Sequence, residues 1–291
     1  PPEIHAYVYF GLRSLLNFYN KVKYITLNAA HRRNGTFIGL YSSDVEDYSV
    51  KGTHASNING TRIIGGRAIN IRRVPWQIAL YNNGNFVCGG SLISLDWVLT
   101  AAHCIANGGS FTMRAGSSFL NRGGQYRTAR IVVMHRLYNV NTFDSDIAMI
   151  RVNRHFRTSR LVKTISLAKN GRGLPAKVYV SGWGSQFYQG PVPNRIRGVT
   201  LNKYSRRECS QLYQSVGITI TRNMVCAGGP GRDACHGDSG GPMVWRRIQY
   251  GIVSMGLQCT LPPSVYTNVR QMNGWIRSVV NRWGGRKPSF R

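Results

Sequence analysis

A serine among glycines, a histidine beside a cysteine and an aspartate opening an apolar run are the residues whose chemistry stands out. The serine is Ser239, in Cys235-His236-Gly237-Asp238-Ser239-Gly240-Gly241-Pro242. A serine hydroxyl is a poor nucleophile unless a base takes its proton and donors hold the developing oxyanion. Glycine on either side permits the backbone angles and close approach that such a donor pocket needs. A base is available in Thr100-Ala101-Ala102-His103-Cys104, and an acid in Asp144-Ser145-Asp146-Ile147-Ala148-Met149-Ile150. Asp146 could fix the tautomer of the histidine. Taken singly, each also reads as something plain: a turn, a packed imidazole, a loop acid. The order along the chain is His103, Asp146, Ser239.

Trp97-Val98-Leu99 before the histidine reads as a buried strand, and Asp146 stands at the mouth of another. The chain has many short strand-like runs between Gly-rich turns, a pattern that fits an all-β protein without separating two barrels from a sandwich. Its 291 residues allow two small barrels plus an accessory segment. No apolar run approaches the roughly 18 residues of a transmembrane helix. The chain opens on Pro1-Pro2, so a secretory signal would already be gone. Six cysteines are present, and spacing alone leaves their pairing open. A zinc cluster is the competing reading, but no Cys-x2-4-Cys pair occurs.

Together the motifs Ile63-Ile64-Gly65-Gly66, Thr100-Ala101-Ala102-His103-Cys104, Asp146-Ile147-Ala148, Ser181-Gly182-Trp183-Gly184 and Gly237-Asp238-Ser239-Gly240-Gly241-Pro242 closely resemble the trypsin/chymotrypsin family of serine endopeptidases. They stand in the family's order over nearly all of residues 63–291. The resemblance implies two packed six-stranded antiparallel β-barrels with a C-terminal helix and the catalytic residues in the cleft between them. It implies Ser239 as nucleophile, His103 as its base and Asp146 as the orienting acid, with the Gly237 and Ser239 N–H groups as oxyanion donors. It also selects the disulfides Cys88–Cys104, Cys209–Cys226 and Cys235–Cys259, and three bridges imply an oxidising compartment, hence secretion.

The resemblance further divides the chain into a pro-segment, residues 1–62, and a protease domain, residues 63–291. Cleavage after Arg62 would free the Ile63 amino group to turn inward and pair with Asp238. The full chain then reads as a zymogen, acted on by an activating protease. No cysteine precedes Cys88, so no disulfide can tether the pro-segment. That segment carries both glycosylation sequons, at Asn34 and Asn59, and a glycan on Asn59 would sit beside the cut.

Asp233, six residues before Ser239, falls at the family's pocket floor, which implies protein or peptide substrates cut after Arg or Lys. Ser254, Gly256 and Ser264 are expected along the pocket walls. Three residues depart from the family: Met255 for a tryptophan, Ser264 for a glycine and Gln258 for another glycine. Ser264 should narrow the pocket and either favour Lys over Arg or lower the overall rate. The family's calcium loop is unmatched, because Ala115 to Gly124 holds no carboxylate, so neither a metal nor a cofactor is expected.

Charge is the least family-like property. Lys and Arg total 38 against 10 acids, a formal net of +28, and from residue 63 onward six acids face 31 bases. Such a field attracts polyanions. In a secreted monomer the expected partners are anionic polysaccharides or acidic proteins. Nucleic acid is disfavoured, since no reading module is present. The alternative to an active enzyme is a protease-like binding protein with weak turnover, acting through this surface.

Overall fold

The computed structural model describes residues 66–185, 187, 190–257 and 263–291. The expected pro-segment, Ile63, Gln258 and Cys259 lie outside them. The chain enters through β1 (Arg67–Ala68) and a 3-10 turn (Ile71–Arg73). It then lays down β2 (Gln77–Asn82), β3 (Asn85–Leu92), β4 (Trp97–Thr100), β5 (Phe111–Ala115), β6 (Gln125–Met134) and β7 (Ala148–Val152). These close into an antiparallel barrel in the order β2-β3-β4-β7-β6-β5. Asn83 and Gly84, both at positive φ, turn β2 into β3, as Asn-Gly pairs do in tight hairpins. β4 is buried throughout, as its apolar run predicts, whereas β6 alternates between half-buried and exposed residues.

The second half adds β8 (Ser166–Leu167), β9 (Lys177–Gly182), β10 (Arg197–Tyr204), α1 (Arg206–Gln214), β11 (Met224–Gly228), β12 (Pro242–Trp245), β13 (Ile248–Met255), β14 (Ser264–Asn268) and α2 (Asn273–Trp283). Strands β9-β10-β11-β14-β13-β12 form a second ring, closed by the β9–β10 and β12–β9 pairings. β1 extends it beside β10, and β8 runs parallel to β13. The fold is therefore the expected pair of six-stranded barrels with a C-terminal helix. α1 was not foreseen; Ser205 and Glu208 close a capping box at its start. α2 buries Ile276, Val279 and Val280, and its end returns to the first barrel, where Trp97 Nε1 donates to the Gly284 carbonyl at 2.9 Å.

Buried polar pairs lock the two barrels together. Ser91 Oγ of β3 donates to Gln249 Oε1 of β13 at 2.7 Å, and Ser181 Oγ of β9 donates to Gln77 Oε1 of β2 at 2.8 Å. All four side chains are buried, so a missing partner cannot be replaced by water. Gln249→Leu should therefore cost about 1–3 kcal/mol in urea unfolding, because it orphans the Ser91 hydroxyl. An unchanged midpoint would show that the pair contributes nothing.

Candidate active site

Asp146 sits just before β7 with no exposed surface. Its Oδ1 accepts from the His103 backbone N–H at 2.9 Å, and its Oδ2 faces His103 Nδ1 at 2.8 Å. Ser254 of β13 donates a third bond to Oδ2 at 2.6 Å, and Thr267 of β14 donates to the Asp146 carbonyl at 2.6 Å. An ionised carboxylate only accepts, so Nδ1 carries the proton and Nε2 is left as the basic nitrogen. Nε2 has a loose contact with Cys104 Sγ at 3.6 Å. Burial alone would lower the His103 pKa; the Asp146 charge and hydrogen bond outweigh it and hold it above its ordinary value.

The loop before Asp146 is braced independently. Asp144 accepts from Thr221 Oγ1 at 2.5 Å and from Asn223 Nδ2 at 3.0 Å. Phe143 sets its ring edge-on to His103, with centroids 6.0 Å apart. Both Phe143 and Ser145 have positive φ, an uncommon conformation that these anchors stabilise.

Ser239 is brought in from the other barrel. Its carbonyl accepts from the Gly89 N–H of β3 at 2.7 Å. Gly89 follows Cys88, which is bonded to Cys104 beside His103, so one stretch of β3 holds both the serine turn and the histidine loop. A bridge closing a loop of this size is worth about 3 kcal/mol. Gly237 and Gly240 have φ of +94° and +77°, and they bend the turn tightly about Ser239. The Gly237 and Ser239 N–H groups have no acceptor among the described residues, so both are free to hold an oxyanion.

Two further carboxylates lie buried beneath this turn. Asp238 accepts from Gly184 N at 2.8 Å and Cys235 N at 3.0 Å. Its packing requires glycine at Gly184, where a Cβ would collide with the carboxylate. Burial pushes its pKa up to about 6 against those two hydrogen bonds. Asp233 accepts from Ala234 N at 2.7 Å and Ser264 N at 3.1 Å. Burial pushes its pKa to about 7, opposed by the Ser264 hydroxyl and these backbone groups and reinforced by the Asp238 charge. Neither has an ion-pair partner among the described residues. Ser264 Oγ also points across the pocket, 2.9 Å from where a Cβ on Gly256 would be.

His103, Asp146 and Ser254 thus form one hydrogen-bonded group, with the Ser239 turn fastened beside it. Asp233, Ser264 and Gly256 form a second group below. Cys88–Cys104 and Cys209–Cys226 are bonded. Arg62, Ile63, Cys259, Asn34 and Asn59 lie outside the described residues. Thr267, Phe143 and the Asp144–Thr221–Asn223 brace were not singled out from the sequence, where only the nearness of Asp144 to Asp146 hints at them. Donor atoms of Cys88, His103 and Cys104 lie within 4.8 Å of one another, but the cysteines are bonded to each other and offer no thiolate. In the loop from Ala115 to Gly124, Ser117 Oγ donates to the Phe119 and Arg122 carbonyls, and Arg122 stacks over Phe119 at 4.3 Å.

A family model described as Trypsin matches residues 63–276. Trypsin alpha of Drosophila melanogaster is 37% identical over 225 residues, covering 76% of this chain and 88% of that protein. Trypsin beta of Drosophila erecta is 38% identical over 220 residues, covering 74% and 87%. Among solved structures, neuropsin, a serine protease expressed in the limbic system of mouse brain, aligns with a TM-score of 0.68 at 33% identity, covering 74% of this chain and 98% of its own.

Hydrolysis should fail on the acid side as His103 gains a proton, with a midpoint above the ordinary imidazole value of about 6.5. Asp146→Asn removes the charge that raises this midpoint and leaves burial to lower it. The variant should show a lower acid midpoint and a kcat reduced about 10⁴-fold, the loss that the same change causes where an aspartate orients a catalytic histidine. An acid limb that does not move in a pH–rate profile would contradict the assignment.

Proposed function

The chain belongs to the trypsin family of serine endopeptidases, and on that premise we propose that it is a secreted zymogen which, once cut after Arg62, hydrolyses peptide bonds following Lys and Arg. The observation that carries the specificity is Asp233, a buried carboxylate without a cation among the described residues. A cationic substrate side chain supplies the missing charge, and charge-assisted hydrogen bonds make that pairing strong.

In this reading Ser239 Oγ attacks the scissile carbonyl while His103 Nε2 takes its proton. The Gly237 and Ser239 N–H groups hold the oxyanion. His103 then protonates the leaving amine, and a water deprotonated by the same nitrogen releases the acyl group from Ser239. Asp146 keeps the ring oriented and balances its charge when protonated. Ser254, Gly256 and Ser264 line the pocket, and the Ser264 side chain leaves less room for a guanidinium than for an ammonium.

Asp238 acts as a switch. Left unpaired and charged at neutral pH, its burial costs about 3 kcal/mol. The Ile63 ammonium released by an activating protease offsets that cost and fixes the adjoining N–H groups. The bonded cysteines support secretion, because disulfides persist in oxidising compartments. Among the described residues no helix is long and apolar enough to cross a membrane.

A second property is binding of anionic polysaccharides alongside catalysis. Every acid among the described residues is engaged: Asp96 with Arg286, Asp144 with Thr221 and Asn223, Glu208 in its capping box, and Asp146, Asp233 and Asp238 in the site. Among the described residues no carboxylate is left to neutralise the remaining cations, so their field is positive.

With peptides matched except at the residue before the cut, Lys should be preferred over Arg, and Ser264→Gly should shift the preference toward Arg. A preference for Phe or Leu would refute the role of Asp233. Cleavage after Arg62 should also raise the melting temperature at pH 8 by about 5 °C or more. A raised folded pKa penalises the charged form, so the intact chain regains stability as Asp238 protonates below about pH 6 and the gain shrinks there. Equal melting of both forms at pH 8 would remove the pairing.

A further inference from the structure

A cavity of about 280 Å³ lies on the second barrel, away from the catalytic groups, and its lining includes Arg67, Arg73, Tyr179, Gly198 and Arg232. The three arginines reach it from separate elements. Arg67 is on β1, Arg73 ends the 3-10 turn, and Arg232 lies in the turn closed by its own N–H to the Gly229 carbonyl. Gly198 is the β10 partner of Arg67 and adds no side chain, so Tyr179 reaches over it. Burial raises the Tyr179 pKa and the nearby Arg73 charge lowers it less, so at neutral pH the hydroxyl remains a hydrogen-bond donor.

These cations differ from the arginines that are anchored to the fold. Arg114, Arg127, Arg151, Arg197 and Arg270 donate to backbone carbonyls, and Arg286 pairs with Asp96. Arg67, Arg73 and Arg232 have no side-chain hydrogen bond, ion pair or ring contact among the described residues. Three guanidinium groups without a side-chain partner among the described residues and a phenol thus surround a concave space whose lining holds no carboxylate. Guanidinium forks match the geometry of tetrahedral oxyanions.

We propose that this cavity is the seat of a sulfated polysaccharide, with sulfate esters held by Arg67, Arg73 and Arg232. The assignment rests on the reading above that the cationic surface engages such polymers, and it replaces a diffuse attraction with a place. The competing occupant is the chain's own acidic run, Asp44, Glu46 and Asp47.

The test is binding of a heparin-derived octasaccharide to the full chain across a salt series. The triple substitution Arg67→Ser, Arg73→Ser, Arg232→Ser should weaken binding about tenfold or more. It should also flatten the log–log salt dependence by about two to three counterions, roughly one for each arginine–sulfate pair removed. A control of equal charge change, Arg130→Ser, Arg154→Ser, Arg160→Ser, should weaken binding less than about threefold. Equal weakening by the two triples would mean a diffuse field and overturn the site, while no binding by the unsubstituted chain would overturn the polysaccharide reading as well. Octasaccharide binding sensitive to the cavity triple only after cleavage at Arg62 and removal of residues 1–62 would assign the cavity to the acidic run instead. Circular dichroism melting of both triples separates a binding defect from a folding defect.

Discussion

A carboxylate buried in the seam between two barrels is the constraint on which the rest of this molecule depends. Removing an ion such as Asp146 from water costs several kcal/mol unless donors surround it. His103 supplies two bonds from the first barrel, while Ser254 and Thr267 supply two from the second, the last to the Asp146 carbonyl. The bonds that satisfy the acid also dock the barrels and orient the imidazole. The hydrogen bonds that hold Asp146 are therefore also part of the contact between the barrels.

Asp233 and Asp238 differ from Asp146 in having no ion-pair partner among the described residues. They are as deeply buried, and burial raises their pKa values although backbone N–H groups, and for Asp233 the Ser264 hydroxyl, donate to them. Incomplete solvation makes each carboxylate a receptor for positive charge. One faces the pocket and the other lies under the serine turn; in the function proposed above, a substrate's cationic side chain would complete the first and the freed Ile63 ammonium the second. On that proposal specificity and activation would be two uses of one device, a buried acid left short of a partner.

Much of this was legible in the sequence because short motifs encode local geometry directly. His103, Asp146 and Ser239 each stand in a run whose small or apolar neighbours dictate its setting, and the buried strand at Trp97 to Leu99 followed from its unbroken apolar character. The closing of two barrels was not legible from periodicity, since strand alternation looks alike in a sandwich. Thr267 and Asn223 were invisible for a different reason. They are ordinary polar residues far from Asp146 and Asp144 in the chain, and only the closure of the second barrel brings them to those acids. The convergence of Arg67, Arg73 and Arg232 was hidden likewise, among basic residues whose sequence positions carry no sign of which face they share.

The oxyanion donors beside Ser239 should become fixed only when Asp238 gains its ammonium partner. The most direct measurement is the rate at which a fluorophosphonate labels Ser239 in the intact chain and in the same preparation cut after Arg62. Labelling should be slow before the cut and faster by about a hundredfold or more after it, the magnitude of one oxyanion donor. Equal rates before and after would contradict this dependence, because Ser239 would then be competent without the pair.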